Sequence, residues 1–344
     1  MSDVVLGIDV GTSGVRIAAV DQANQLMAMS SASYATPSRD PNQWWDTVAK
    51  ALEGLDLSTM NVKAIAVDGT SGTIIPIGGD GAPLGPASMY NDVASAADVA
   101  MVMRAAPAKT AARGATSPLA RALSLKTRVL HQADWIAGQF SGRFDVTDEN
   151  NALKSGYDPV ARAWPEWIGR AGFDIAFFPN VVAAGQHTGG ILPAVARRFG
   201  LPTDVAIVAG TTDGCAAFLA SGARDPGDGV TSLGTTLTLK LLSDRPVFAP
   251  RYGIYSHRIG DQWLAGGASN TGGAVLGKFF SGDDIARLTL LLEPDLPTGL
   301  DYYPLLQPGE RFPINDPEFA PRLEPRPADE RVFFQAILEG IAAV

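Results

Sequence analysis

Residues Val4 to Val20 read V-V-L-G-I-D-V-G-T-S-G-V-R-I-A-A-V. Two runs of β-branched and aliphatic residues, each of strand length, flank a glycine-rich turn, and this pattern predicts a β-hairpin. Gly11 and Gly14 in the turn permit positive φ angles and a close approach of backbone to ligand. Thr12 and Ser13 add hydroxyl groups to the free amides. A hairpin tip of this composition suits the binding of a phosphate.

The residues after the tip exclude two common phosphate-binding motifs. A dinucleotide-binding fingerprint and a Walker loop both need a helix directly after their glycines, because the helix N-terminus holds the anion. Here the chain continues as an apolar strand to Val20, and no G-K-[ST] tripeptide follows the glycines. The nicotinamide and Walker interpretations therefore fail, while an ordinary tight turn remains the alternative.

The same design occurs a second time. Asp228 to Leu242 read D-G-V-T-S-L-G-T-T-L-T-L-K-L-L, with a turn of Gly234, Thr235 and Thr236 between two apolar runs. An internal duplication can set the architecture of a whole chain. Two such hairpins facing one another across a cleft would hold a nucleoside triphosphate from both sides.

Six short motifs follow one another along the chain. They are D-V-G-T-S-G-V-R at 9–16, D-G-T-S-G-T at 68–73, G-T-T-D-G at 210–214, S-L-G-T-T at 232–236, G-G-A-S-N at 266–270 and G-E-R-F-P at 309–313. In this order the chain resembles the FGGY family of carbohydrate kinases, which belongs to the actin-like ATPase superfamily. The second and sixth motifs resemble its ribulose and xylulose kinase branch.

The resemblance implies an α/β fold with two ribonuclease-H-like domains, as in actin-like ATPases, around a central cleft. A length of 344 residues also favours two domains, and the glycine-rich segment 220–229 is the expected hinge. We predict an N-terminal sugar- and phosphate-binding domain at 1–222 and a C-terminal nucleotide-binding domain at 223–344. The second domain is expected to be truncated, because family members continue into a further glycine-rich segment that packs the adenosine.

Composition limits the classes of partner. The formal net charge is −9, and without clustered Lys and Arg the chain is not expected to bind nucleic acid or an anionic membrane. The single cysteine, Cys215, cannot form an internal disulfide, which fits a reducing cytoplasm. The longest apolar stretch, 205–223, is interrupted by glycine and aspartate, so no membrane span is expected. We predict a cytoplasmic protein that acts on a small-molecule sugar.

Three segments outside the motifs carry structural predictions. Asp40 and Pro41 are typical of a helix cap and of the first helical residue. The apolar spacing from Ser117 to Phe140 predicts a helix. Dense prolines and lost periodicity between Glu293 and Arg326 predict a long irregular surface loop.

Asp9 is the candidate magnesium residue. Mg²⁺ prefers carboxylate and water oxygens together with substrate phosphates, often through one or two protein carboxylates. The resemblance assigns this role to Asp9, which would also line the substrate site. The alternative is an aspartate that stabilises the turn by accepting local amides.

Asp213 is the candidate catalytic base. The resemblance implies that it accepts the proton of the attacking sugar hydroxyl, and a helix start would stabilise its charge. The alternative is a plain helix N-cap. Thr70 and Ser71 occupy the position of family residues that line the sugar pocket, with a hairpin turn of small polar residues as the alternative.

The remaining candidates bind phosphate and nucleotide. The phosphates of ATP would be bound by Gly11, Thr12, Ser13, Gly234, Thr235 and Thr236. The wall of the nucleotide site in the second domain would begin with Gly266, Gly267 and Asn270. The alternative is that G-G-A-S-N is only a loop before a helix capped by Ser269 or Asn270. Tyr90 to Asp92 match a W-x-D pattern of the family, with tyrosine in place of tryptophan. We predict first that Asp92 caps the next helix. Arg16 is expected either in the family role or in a pair with a nearby acid.

Two functions of different class follow. The first is ATP- and Mg²⁺-dependent phosphorylation of a ketopentose such as D-ribulose or D-xylulose. The second is a catalytically weak or inactive sugar-binding or regulatory remnant that lacks the adenosine clamp.

Overall fold

The protein, described here by a computed structural model, has all 344 residues placed in two compact units. The first unit contains Met1–Ala220 and His257–Gly260, and the second contains Ser221–Ser256 and Asp261–Val344. The domain division predicted from the sequence, 1–222 and 223–344, stays a prediction.

The first unit is built on a six-stranded sheet with helices packed on it. The strands of this unit are β1 (Ser2–Val10), β2 (Gly14–Asp21), β3 (Leu26–Ser33), β4 (Met60–Gly69), β5 (Ile74–Ile77), β6 (Arg128–His131), β7 (Val146–Asp148), β8 (Asn180–Val182), β9 (His187–Gly190) and β10 (Ala206–Thr212). The sheet order is β3-β2-β1-β4-β10-β9, while β5 pairs with β6 and β7 with β8. Within the six-stranded sheet, β1, β4 and β10 run parallel to one another, and the other neighbours are antiparallel. β5 and β6 pair antiparallel, and β7 and β8 pair parallel.

The helices of the first unit follow the strands closely. They are α1 (Pro41–Glu53), α2 (Ala96–Ala105), α3 (Pro118–Leu125), α4 (Gln132–Ser141), α5 (Glu149–Leu153), α6 (Trp167–Arg170), α7 (Pro193–Phe199) and α8 (Asp213–Ala220), with a short 3-10 helix at Ile175–Phe177. The predicted start of α1 is confirmed, because Asp40 caps it by accepting from the Asn42 amide and Pro41 is the first helical residue. Trp44 and Val48 then bury the apolar face of α1 in the core of the sheet.

The predicted hairpin at the N-terminus is confirmed. β1 pairs with β2 in a register that places Val10 opposite Val15. Within β1 the side chains of Leu6 and Ile8 are buried, whereas Val5 is exposed. This alternation is the period of two that a strand with one buried face requires.

The predicted continuous helix from Ser117 to Phe140 is wrong. α3 ends at Leu125, where Lys126 takes a left-handed conformation with φ of 50°, and α4 begins only at Gln132. Between them β6 pairs antiparallel with β5, so Val129 and Leu130 are buried by a partner strand. This pairing partner lies about fifty residues earlier in the chain, and it overrides the local helical spacing.

The second unit contains a four-stranded sheet of order β11-β12-β14-β13 and three helices. Its elements are β11 (Gly229–Leu233), β12 (Leu237–Ser243), β13 (Tyr255–Ile259), β14 (Gln262–Ser269), α9 (Gly273–Phe279), α10 (Gly282–Thr289) and α11 (Glu330–Ala342), with a 3-10 helix at Pro250–Tyr252. Of β13, only Tyr255 and Ser256 are counted in this unit. The second predicted hairpin is confirmed, because β11 and β12 pair from Leu233 opposite Leu237 outward. The apolar stripe of Phe333, Ile337 and Ile341 on α11 is buried in the core of this unit.

The proline-rich segment is irregular as predicted, but it is not wholly a surface loop. No helix or strand lies between α10 and α11. Tyr302, Leu305 and Glu310 in this segment are nevertheless buried, and the hydroxyl of Thr271 donates to the Pro304 carbonyl at 2.6 Å. The segment therefore forms part of the interior of the second unit. No helix of the chain has both the length and the apolar character to cross a bilayer.

Candidate active site

A row of polar side chains crosses the carboxyl end of the first unit's sheet. Asp9 of β1 stands opposite Arg16 of β2 on one side and opposite Asp68 of β4 on the other. Asp68 in turn stands opposite Thr211 of β10. Partners in neighbouring strands lie about 4.8 Å apart with their side chains on the same face. The four side chains therefore share the face opposite the buried Ile8.

Asp9 is the more accessible carboxylate of this row. Its Oδ2 accepts from Nη1 of Arg16 at 3.2 Å, and the two side chains are 36% and 72% exposed. An ion pair this exposed is weak. Apart from Arg16, only the carboxyl of Asp68 shares a hydrogen bond with it, and no backbone amide does. The turn-stabilising alternative is therefore not favoured, and the predicted pairing of Arg16 with a nearby acid is observed.

Asp68 begins the D-G-T-S-G-T motif but is not among the predicted site residues. Its pKa is raised to about 8, chiefly by burial and then by the negative charges of Asp9 and Asp213. The Asp68 carboxyl therefore carries a proton through much of the neutral range and shares a hydrogen bond with Asp9. Both predicted catalytic carboxylates thus lie within electrostatic reach of the same group. The available sequence signal was the repeat of an apolar strand ending in aspartate, I-D at 8–9 and V-D at 67–68.

Asp213 lies where β10 passes into α8. It is exposed, and its Oδ1 accepts from the Gly214 amide at 2.6 Å. The hydroxyl of the preceding Thr212 accepts from the Cys215 amide at 3.4 Å, so Thr212 supplies the capping bond of this helix. The plain N-cap alternative for Asp213 is therefore not favoured.

The close approach of β10 to β4 explains why position 210 is a glycine. A Cβ at Gly210 would lie 1.7 Å from the Val67 carbonyl oxygen, at an irregularity in the pairing of β10 with β4. Only glycine fits this approach of two backbones. The close approach brings the end of β10, and hence Asp213, beside Asp68.

Asn150 supports the same strand end from below. It is fully buried, and its Nδ2 donates to Oγ1 of Thr211 at 3.0 Å. The same amide group donates to the Arg258 carbonyl and accepts from the Arg258 amide, each at 2.9 Å. These contacts give Asn150 a structural role at this strand end.

The tip of the first hairpin presents open hydroxyl groups. The Gly11 amide donates to the Gly14 carbonyl, and the Tyr34 backbone amide donates to the Ser13 carbonyl, each at 3.0 Å. Thr12 and Ser13 are exposed. The hydroxyl of Tyr34 is buried without a hydrogen-bond partner, and burial together with the charge of Asp9 raises the pKa of this phenol. An acceptor oxygen beside Asp9 would satisfy it.

The predicted sugar-pocket residues lie in the turn that follows β4. Thr70 is buried, and its amide and hydroxyl both donate to Oε1 of Gln132, at 3.0 and 2.7 Å. The Ser71 carbonyl accepts from Nζ of Lys154 at 3.4 Å. The hairpin alternative is wrong, because β4 and β5 belong to different sheets. Nε2 of Gln132 is buried without a partner, which leaves one donor at this turn.

Asp92 does not cap the following helix, contrary to the sequence interpretation. Ser95 caps α2 instead. Asp92 forms a bidentate pair with Arg39 at 2.5 and 2.6 Å and accepts from the Met89 amide at 2.8 Å. Hydrogen bonds from Arg39 hold the pKa of Asp92 below its usual value. The partner that decides its role lies 53 positions earlier in the chain.

In the second unit, the second hairpin tip is attached to a helix. The carbonyls of Gly234 and Thr235 accept from the Gly273 and Ala274 amides at the start of α9, at 2.8 and 3.2 Å. Gly234 and Thr235 are exposed, and Thr236 is half-buried. The first donors of α9 are therefore used by the tip itself.

The predicted nucleotide-wall residues divide between a strand and a loop. Gly266 and Gly267 lie in β14, where a Cβ would meet the Leu239 carbonyl oxygen at 2.5 Å and the Phe312 ring at 2.2 Å, respectively. Their lack of side chains is thus explained by packing. Asn270 follows the strand, and the capping alternative for it and for Ser269 is wrong because Gly272 precedes α9 as its N-cap.

Glu310 organises this loop and was not predicted. It is 2% exposed, and its carboxylate accepts from the Asn270 amide at 2.7 Å, from the Ser269 hydroxyl at 2.5 Å and from the Tyr303 hydroxyl at 2.7 Å. Nδ2 of Asn270 also donates to the Gly309 carbonyl at 3.0 Å. The G-E-R-F-P motif therefore fixes the end of the G-G-A-S-N motif.

The oxygen donors beside Asp9 fit a magnesium ion. No group of three or more His, Cys, Asp or Glu side chains in the structure could hold a metal alone. Mg²⁺ does not need one, since it is commonly bound by one or two carboxylates, water and substrate phosphates. The exposed Asp9 carboxylate and the unpartnered Tyr34 hydroxyl beside it suit such a hydrated ion with its phosphates.

Comparison with known proteins agrees with these motifs. A family model described as "FGGY family of carbohydrate kinases, N-terminal domain" matches residues 4–120, which include Asp9, the first hairpin and the turn after β4. Over these residues the chain is similar to the N-terminal domain of the FGGY family. Xylulose kinase from Streptomyces rubiginosus is 29% identical over 269 residues, which cover 70% of this chain and 55% of that protein. Xylulose kinase from Escherichia coli K12 is 24% identical, covering 75% and 58%. The chain thus spans little more than half the length of these relatives.

Solved structures of sugar kinases show the same fold. A xylulose kinase from Rhodospirillum rubrum superposes with a TM-score of 0.84 at 22% identity, covering 98% of this chain and 76% of that one. A gluconate kinase from Lactobacillus acidophilus gives a TM-score of 0.84 at 19% identity, covering 99% and 76%. The predicted α/β fold of the actin-like ATPase type is confirmed.

Proposed function

We propose that the protein transfers the terminal phosphoryl group of ATP to a hydroxyl group of a pentulose. The observation that carries the proposal is the convergence of Asp9 and Asp213 on Asp68 at the carboxyl end of the sheet. Phosphoryl transfer needs little covalent chemistry from the protein. It needs a proton acceptor at the attacking hydroxyl, charge neutralisation at the phosphates and alignment of the two substrates.

Asp213 is the proposed proton acceptor. In the reaction, the sugar oxygen forms a bond to the γ-phosphorus while the bond to the bridging oxygen of ADP breaks. The proton of the hydroxyl passes to the carboxylate of Asp213. The exposed carboxylate at the start of α8 accepts from the Gly214 amide, and the Thr212 hydroxyl accepts from the Cys215 amide, so the backbone at the start of this helix sets the direction of the carboxylate.

Asp9 is the proposed residue for Mg²⁺. When bound, the ion would neutralise charge on the transferring phosphate and orient its oxygens. Asp68 lies behind Asp9 as a protonated neighbour, so its carboxyl donates to Asp9 and does not add a second negative charge there.

Phosphate and nucleotide contacts are proposed within each unit. In the first unit, the amide of Gly11 closes the tip, and Gly11 itself has no side chain to block the approach of a phosphate. The exposed Thr12 and Ser13 offer hydroxyl and amide donors. In the second unit, we propose Gly234, Thr235 and Thr236 for phosphate and Gly266, Gly267 and Asn270 for the nucleotide. A cytoplasmic location, based on the single cysteine, also remains our proposal.

The pentulose is proposed from the relatives and from the turn after β4. The two relatives named above are xylulose kinases, whereas solved structures of the same fold include a gluconate kinase and a glycerol kinase. The fold alone does not choose the sugar. Ser71 and the unpartnered amide of Gln132 are the donors we propose near the sugar, with Thr70 holding Gln132 in place. D-xylulose and D-ribulose are the candidate substrates.

A coupled ADP-release assay on the full chain tests the proposal. With ATP, Mg²⁺ and either pentulose, we expect sugar-dependent turnover that falls at least 100-fold in Asp213→Asn, in keeping with the loss of a general base. Asp9→Asn should lower turnover and raise the Mg²⁺ concentration needed for half-maximal rate. Asp204→Asn, an exposed aspartate in the loop before β10, is the matched control and should be unchanged.

Calorimetry with each sugar separates catalysis from binding. Asp213→Asn is expected to keep measurable sugar affinity while it loses turnover. Undiminished turnover in Asp213→Asn would refute its assignment as the base. Sugar affinity without turnover in the unaltered chain would refute the kinase proposal in favour of a sugar-binding protein.

A further inference from the structure

A cavity of about 460 Å³ lies in the first unit away from the carboxylate row. None of the predicted site residues lines it. Its wall combines aromatic and cationic side chains with one amide, contributed by Arg128, Tyr157, Arg162, Trp164, Phe178 and Asn180. A volume of this size lies in the range of pockets that bind small molecules, roughly 300–1,000 Å³.

One wall of the cavity is flat, apolar and rigid. The rings of Trp164 and Phe178 stack with centroids 4.1 Å apart and planes 9° from parallel. Tyr157 meets Trp164 edge-on at 5.3 Å. Nε1 of Trp164 donates to the Pro179 carbonyl at 3.2 Å, which fixes the orientation of the indole. Pre-ordered aromatic surface of this kind favours a planar or apolar ligand face.

The charge in the cavity is positive although the chain carries a net charge of −9. Arg128 donates to the carbonyls of Phe144 and Gly79, at 3.0 and 3.5 Å, and forms no ion pair with a carboxylate. The lining carboxylate, Asp145, is held bidentately by Arg143 at 3.1 and 3.0 Å. Those bonds hold the pKa of Asp145 below its usual value. Arg128 also attracts the Asp145 carboxylate electrostatically. Arg143, however, forms the ion pair with Asp145, and Arg128 donates hydrogen bonds only to carbonyls.

Arg162 adds a second cation in an unusual backbone conformation. Its φ is 51°, in the left-handed region that side chains other than glycine seldom adopt. The turn from Asp158 to Ala163, closed by two backbone hydrogen bonds, maintains this conformation. The guanidinium contacts the buried carboxylate of Glu149 at 3.3 Å. This pair anchors Arg162 at the cavity while its exposed half remains accessible.

We propose that this cavity is a binding site for a small anion that carries a planar ring, such as an aryl phosphate or aryl carboxylate. The ring would lie against the Trp164 wall, and the anionic group would accept from Arg128, where charge-assisted hydrogen bonds are the strong ones. A bare inorganic anion would leave the aromatic wall uncovered. A neutral ring would leave the Arg128 guanidinium with only carbonyl acceptors. The site is separate from the proposed kinase site.

Phenyl phosphate is the probe, measured on the full chain by calorimetry and by saturation-transfer NMR of its ring protons. We expect saturable binding with transfer to the ring, and at least tenfold weaker binding of inorganic phosphate and of benzyl alcohol. Arg128→Met removes the charge at similar length and should weaken binding at least tenfold. Ala176→Trp fills the cavity from an exposed lining position and should abolish binding.

Two control variants locate the binding. Arg197→Met removes an exposed arginine of α7 outside the cavity and should leave binding unchanged, as should Asp213→Asn at the proposed kinase site. Circular dichroism verifies that each variant is folded, and Ala176→Trp keeps the test decisive if Arg128→Met is not. Absence of ring saturation transfer, binding that survives Ala176→Trp, or binding lost in Asp213→Asn would each overturn the proposal.

Discussion

Replacing Asp68 by asparagine should make the first unit more stable at pH 8 and should change how its stability depends on pH. The pKa of Asp68 is raised from 3.8 to about 8, first by burial and then by the charges of Asp9 and Asp213. Asparagine has the same shape and no proton to lose. The variant therefore removes the cost of ionising a buried carboxyl between two other carboxylates.

The sign and size follow from proton linkage. Below pH 4 the carboxyl is protonated in both the folded and the unfolded chain, so its full contribution is present. Between about pH 4 and pH 8 the unfolded chain has released the proton while the folded chain keeps it, so the free energy of unfolding falls as pH rises. A shift of about four pKa units at about 1.36 kcal/mol each sets a ceiling of about 5 kcal/mol. Since the three carboxylates share the effect, we expect roughly 2 kcal/mol or more between pH 5 and 8.

Urea unfolding followed by tryptophan fluorescence measures this difference. Five of the six tryptophans lie in the first unit, since only Trp263 lies in the second. EDTA keeps the buffer free of divalent cations, which would lower the pKa of Asp68. Relative to the unaltered chain, Asp68→Asn should gain stability progressively as pH rises, whereas Asp204→Asn should show a flat difference. A flat difference for Asp68→Asn as well would refute the protonated state of this carboxyl and its close coupling to Asp9 and Asp213.

Two further substitutions test the packing behind the site residues. Gly210→Ala would place a methyl group 1.7 Å from the Val67 carbonyl oxygen and should destabilise the chain by about 3 kcal/mol or more in thermal unfolding. In the control Gly7→Ala, the added methyl group meets no atom within 4 Å and should change stability by less than about 1 kcal/mol. Equal melting temperatures of the two variants would contradict the contact at Gly210. Glu310→Ala removes the acceptor of the Ser269 and Tyr303 hydroxyls and of the Asn270 amide, and it should speed hydrogen exchange at the Asn270 amide at least tenfold. Glu318→Ala, at an exposed site, should not. Unchanged exchange in Glu310→Ala would contradict the role of Glu310.

Elements whose determinants are local were predictable from the sequence. The two hairpins follow from apolar runs around glycine turns, and α1 follows from Asp40 and Pro41 directly before an amphipathic segment. The segment from Ser117 to Phe140 failed because β6 is stabilised by β5, far earlier in the chain. Asp92 failed for the same reason, since Arg39 claims its carboxylate. In both cases the decisive partner lies outside any local sequence window.

The site was predictable where a motif marks it and not where burial defines it. Asp9 and Asp213 stand in glycine-rich motifs and were predicted as site residues. Asp68 and Glu310 also stand in quoted motifs, but their importance depends on burial and on donors or charges supplied by other segments. A sequence read alone gives no measure of burial. Sequence motifs therefore identify candidate site residues such as Asp9 and Asp213 more readily than the buried residues Asp68 and Glu310 that hold the site in place.

The two glycine hairpins show how similar sequences can be used differently. In the first, the tip is closed on itself by Gly11 and Gly14 and anchored only through the Ser13 carbonyl, so Thr12 and Ser13 keep exposed hydroxyls beside Asp9. In the second, the tip carbonyls accept from the first amides of α9, so this tip is bonded to a helix. The Gly234 amide is also used within the tip, since it donates to the Thr236 carbonyl at 3.1 Å. The duplicated sequence therefore forms two hairpin tips with different supports, one closed on itself and one bonded to a helix.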